Sequence, residues 1–126
     1  MTPDAFATLA AGLAPNVQVR PILDATQFRL GGKAFATLGW PGEGWAVIKL
    51  DPADQAWALR LSRGLAPEPS RRARPGVVLA RLKAVDEDVA AMVLAAAWRR
   101  AVSDAQPKPR SRTVDAATAL RVRAAA

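Results

Sequence analysis

A Gly31-Gly32 pair set between two strand-like runs constrains the fold of this chain more than any other feature of its sequence. It lies in the stretch TQFRLGGKAFATLGWPGEGWAVIKLDP, residues 26–52. Two consecutive residues free to take positive φ make a two-residue hairpin turn, so residues 26–30 and 33–40 are expected to fold onto each other as antiparallel strands. Counting outward from the turn puts Phe28 opposite Phe35. Facing residues share a sheet face, so Phe28, Leu30 and Phe35 are expected to form one apolar patch. Pro41-Gly42-Glu43-Gly44 is a second turn signal and leads into a third strand at residues 45–50. There Ala46, Ile48 and Leu50 alternate with Trp45, Val47 and Lys49, so one face should pack on helices and the other be partly exposed.

The flanking segments complete a two-layer plan. Residues 3–13 space Phe6, Leu9 and Leu13 for one face of a short helix that Pro15-Asn16 ends. Residues 17–22 alternate as a further strand, and Pro21, which has no backbone donor, marks it as an edge. Asp51 and Pro52 suit the N-cap and first position of a second helix. Its stripe would be Ala53, Ala56, Trp57, Arg60 and Leu61, with Gly64 as a left-handed cap. Residues 65–75, rich in proline and arginine, read as an exposed loop, and GVVLARL at residues 76–82 reads as a strand rejoining the sheet. Asp86, Glu87 and Asp88 would open a long helix closed by Arg99 and Arg100, each charge matching the nearer end of the dipole. Its inner stripe would be Val85, Val89, Met92, Val93 and Ala96, widened by Ala91, Leu94, Trp98 and Val102. Trp57 and Trp98 are expected to be packing residues. The expectation is an α+β, two-layer fold with an antiparallel sheet of about five strands on helices at the N-terminus, middle and C-terminus. One domain spans residues 1–103, and residues 104–126 form a basic Pro/Arg-rich tail with a linker at 106–112 and a short helix after it.

Composition excludes much chemistry. The chain of 126 residues contains no Cys and no His, which removes thiolate nucleophiles, imidazole acid–base catalysis and the usual zinc ligands. No metal and no cofactor is expected. No basic N-terminal segment leads into an apolar run, and no apolar stretch is long enough to span a membrane, so a cytoplasmic protein without membrane association is expected. The net charge of +7 would attract an acidic partner over a distance set by salt. Part of that excess is compositional, since Arg outnumbers Lys 14 to 4 in a chain rich in Ala and Pro.

The segment Phe28-Arg29-Leu30-Gly31-Gly32-Lys33-Ala34-Phe35-Ala36 resembles the MmcQ/YjbR family. So does the order that follows: a polar turn, VIKLDP, a helix, a basic loop, GVVLARL, the acidic DEDV start and AAWRRAV. The resemblance runs from about residue 22 to residue 102. The chain differs from the family pattern in having Leu23-Asp24-Ala25 in place of a Gly-Arg-Pro-like segment and Gly76-Val77 in place of a Gly-Trp pair. What the resemblance implies is a small bacterial two-layer α/β protein, similar to frataxin-like or secretion-chaperone-like arrangements, with a DNA-binding role and no enzymatic activity.

The residues supply a candidate surface for that role. From Arg60 to Lys83 seven basic side chains face one acid, Glu68. Lys33, Lys49, Arg71, Arg72, Arg74 and Arg81 are the candidate nucleic-acid contacts, binding phosphates without reading bases. No helix-turn-helix, zinc finger or RNP-type motif accompanies them. Trp40 and Trp45 flank the second turn; packing across the strand pair is the expected role, and stacking on bases the alternative. Gly31-Gly32-Lys33 lacks the rest of a phosphate loop and leads into a strand. The acids Asp51, Asp54, Asp86 and Asp88 sit at helix starts, where capping accounts for them, so no catalytic residue is expected. A different functional class stays open: an interaction module, chaperone-like, that dimerises or holds a partner through the exposed sheet face.

Overall fold

The computed structural model describes residues 1–69 and 74–105. The Gly31-Gly32 turn forms as the sequence demands, with φ of 60° and 84°, and joins β2 (Ala25–Leu30) to β3 (Lys33–Leu38). With β1 (Gln18–Ile22), β4 (Trp45–Lys49), β5 (Leu65–Pro67) and β6 (Val77–Arg81), these strands make one antiparallel sheet in the order β1-β2-β3-β4-β6-β5. Three helices, α1 (Pro3–Ala11), α2 (Gln55–Leu61) and α3 (Glu87–Ala105), complete an α+β, two-layer architecture. All five residues of β1 are exposed, as befits an edge strand carrying Pro21. Among the described residues, no helix is long and apolar enough to cross a membrane.

The hairpin register differs from the simple count. Phe28 pairs with Ala36 and Arg29 with Ala34, leaving Phe35 as an extra residue in a β-bulge. A regular strand sends neighbours to opposite faces; the bulge instead lets both Phe35 and Ala36 enter the core. Phe28 meets Phe6 of α1 edge-on at 6.2 Å, and Phe35 meets Trp98 of α3 edge-on at 5.9 Å. The two phenylalanines therefore join the sheet to two different helices rather than stacking on each other. Ala46, Ile48 and Leu50 enter this main core, while Val47 joins Val77, Leu79 and Trp45 in a small second cluster on the other face.

The sheet has a sixth strand because the expected loop at residues 65–75 begins with β5, which pairs with β6 along its outer edge. Three residues ending in Pro67 are too short to show alternation. Gly64 lies close against Ala84 and Val85: a Cβ there would sit 2.6 Å from a Val85 methyl and 2.8 Å from the Ala84 carbonyl. Its role is this close approach and not a left-handed cap, since α2 already ends in extended backbone at Ser62. The stripe of α2 is also rotated from expectation. Ala58 is buried with Trp57, Leu59 and Leu61 beside it, whereas Ala53, Ala56 and Arg60 face solvent.

At α3 the buried face is Ala90, Val93, Leu94, Ala96 and Ala97, with Trp98 and Ala101 against the core. Met92 falls outside that stripe and is exposed. The helix continues beyond Arg99 and Arg100 to Ala105, so those arginines do not close it. The expected linker at 106–112 and the helix after it lie outside the described residues.

Candidate nucleic-acid interface

Where the β2–β3 turn, the end of β4, the segment leading into β6 and the last turns of α3 meet, the surface opens into a cleft of about 640 Å³. Lys33 comes from the start of β3, Lys49 from the end of β4, Arg74 from the approach to β6 and Arg100 from α3. Four cations from four separate segments share one concavity, and Asp104 is the acid that lines it with them. The floor is apolar, made by Leu30, Phe35, Leu50 and Ala97.

Local chemistry holds these charges in place. Gly76, at φ 84°, brings its backbone against Leu50, and the Leu50 amide donates to the Gly76 carbonyl at 2.9 Å, tying the approach of β6 to the end of β4. Arg74 is clamped by Glu68, whose carboxylate accepts from the Arg74 backbone amide at 3.1 Å and from its guanidinium at 3.2 Å. Those bonds hold the Glu68 carboxyl below its ordinary range. Arg100 donates to the Leu50 carbonyl and pairs with Asp104 one turn on, at 3.3 Å. Lys49 has no ion pair among the described residues. Burial, then the guanidiniums of Arg74 and Arg100, push its ammonium below its ordinary value.

Of the six residues expected from sequence, the structure gathers Lys33, Lys49 and Arg74. Arg81 stands apart, at the far end of β6 opposite Trp45. Arg71 and Arg72 lie outside the described residues. Arg100, which the sequence suggests only as a helix terminator, is a fourth cation of the cleft. Its signal was its spacing, since it continues the inner face of Val93, Ala96 and Ala97 by helical steps.

The sheet face turned away from the helices carries a row of facing residues: Arg20, Gln27, Thr37, Val47, Leu79 and Ala66. Arg29 shares that face, with its guanidinium held on the Gln27 side-chain oxygen at 2.7 Å and 2.9 Å. Lys49 and Arg81 alternate onto it as well. Over part of this face, reaching the β1–β2 and β3–β4 turns, lies a second hollow of about 880 Å³. Trp40 stands at its margin with 58% of its surface exposed, so it does not pack across the strand pair as the sequence led us to expect. Trp45 does pack, on the second cluster. Among the described residues, no group of three or more carboxylates, histidines or cysteines is gathered in a way that would hold a metal ion. No protein-family model matches the chain, and no curated protein matches it.

Proposed function

We propose that this chain is a non-enzymatic, MmcQ/YjbR-like DNA-binding protein that contacts phosphates through the cationic cleft and the basic surface around it. The observation that carries this reading is the convergence of Lys33, Lys49, Arg74 and Arg100 on one concavity. Like charges held this close repel one another, and an anion seated among them offsets that repulsion. Arg71 and Arg72 precede Arg74 in the chain and make that stretch of sequence strongly basic. The cations come from four separate segments and not from the face of one helix, which fits backbone contact without sequence readout.

Self-association through the open sheet face is the weaker reading. In a two-fold dimer the same patch meets itself. That would bring Arg20, Arg29, Lys49 and Arg81 of one copy toward those of the other. The apolar residues of that face, Val47, Val77 and Leu79, are already buried within one chain. An acidic partner suits the face better than a second copy.

Fluorescence polarisation of the full chain with labelled DNA, at low and moderate salt, tests the proposal. Saturable binding at low salt is expected, falling steeply as salt rises and falling further when Lys33 and Arg74 are changed to Ala. Absence of saturable binding at low salt would overturn it.

A further inference from the structure

The cleft and the second hollow share two lining residues, Lys49 and Arg74, so they adjoin near the end of β4 as two halves of a composite groove. Its chemistry changes along its length. One end is cationic, with Lys33 and Arg100 added to the shared pair. The middle offers the hydrogen-bonding side chains of Gln27 and Thr37. The far end is apolar and aromatic, built from Ile22, Leu23, Trp40 and Pro41, and the charged residues there, Asp24 and Glu43, are acids. That end repels phosphate and suits a flat, uncharged ring.

Trp40 differs from the other tryptophans. Trp57 and Trp98 pack on the main core and Trp45 on the second cluster, whereas Trp40 belongs to neither. Beside it, Leu23 is 99% exposed and holds a φ of 54°, a conformation that side-chain-bearing residues adopt at a steric cost. An indole and a leucine presented together to solvent on adjoining turns gain nothing from burial within the chain.

We infer that the groove takes single-stranded DNA, with phosphates at the Lys33, Lys49, Arg74 and Arg100 end and a base stacked on Trp40. This rests on the phosphate-binding reading above. A duplex offers the same phosphates, but its bases are stacked inside and cannot reach an indole at a groove wall. A single strand offers both, an accessible phosphate and an unstacked base on each nucleotide.

The test is polarisation with one fluorescein-labelled oligonucleotide of about 12 nucleotides, free and annealed to its complement, at a single salt concentration. The single strand is expected to bind about tenfold more tightly than the duplex, the scale of one base stacked on an aromatic ring. Trp40→Ala should abolish that difference while leaving duplex affinity unchanged, which also reports that the variant is folded. Trp40→Phe should keep most of the difference, and Lys33→Ala should weaken both probes alike. Equal affinity for the two probes, or undiminished single-strand binding by Trp40→Ala, overturns the single-strand assignment and leaves phosphate binding standing. No binding of either probe overturns phosphate binding itself.

Discussion

At the scale of single residues, two positions show how the cleft is built and what it costs. Gly76 combines a φ of 84° with a backbone so close to Leu50 that a Cβ would run into the Leu50 carbonyl. Left-handed strain and overpacking act together there, so Gly76→Ala is expected to destabilise the fold by about 2–4 kcal/mol in urea denaturation. Lys49 shows the opposite behaviour. Its folded-state pKa lies below the ordinary 10.5, so the folded state holds its proton less well than the unfolded chain does. The resulting penalty is fully present at neutral pH and fades as pH rises through the folded value towards the unfolded one. Lys49→Met should therefore stabilise the protein at neutral pH by roughly 0.5 kcal/mol, the scale of partly screened charge interactions. That gain should shrink in thermal melts as pH approaches 10.5, and the loss of DNA affinity seen at neutral pH should fade over the same range as the wild-type amine loses its charge.

At the scale of elements, the sequence was most legible where a local rule had no competitor. Gly31-Gly32 gave the turn, Pro21 the edge strand, and Asp51-Pro52 the start of the middle helical segment, where the Asp51 carboxylate accepts from the Ala53 amide at 2.9 Å. It was less legible where tertiary contact chose between near-equal local options. The bulge at Phe35 is one case, because alternation alone cannot say that two neighbours will both be buried. The rotation of α3 is another: Met92 and Leu94 are both large and apolar, and only the position of the sheet decides that Leu94 is inside. Leu94→Ala is accordingly expected to cost about 2–5 kcal/mol in chemical denaturation, whereas Met92→Ala should stay within about 0.5 kcal/mol.

At the scale of the whole molecule, the net charge of +7 becomes useful only where the fold concentrates it. Four cations at one cleft predict a salt dependence set by that number. For single-stranded DNA the slope of log affinity against log salt should be near −3, and removing Arg74 should flatten it by roughly 0.7. Glu68 competes with DNA for Arg74 through the bonds it already accepts. Glu68→Gln deletes that negative charge, so it should tighten binding several-fold at low salt with little change in stability, because an exposed ion pair contributes little. Both effects are read from the same polarisation titrations.

The sequence by itself determined the order of the elements other than β5, the hairpin that organises the sheet, the two-layer α+β class and the absence of thiol and imidazole chemistry, because turn geometry, alternation and composition are local properties. It also pointed to Lys33, Lys49 and Arg74 as cations of interest. Only the tertiary structure decided that these three meet Arg100 while Arg81 stands apart, and that Trp40 faces solvent while Trp45 is packed. The physical reason is distance along the chain. Residues 33, 49, 74 and 100 share a cleft because strand pairing and helix packing fold distant segments together, and no local pattern records that meeting.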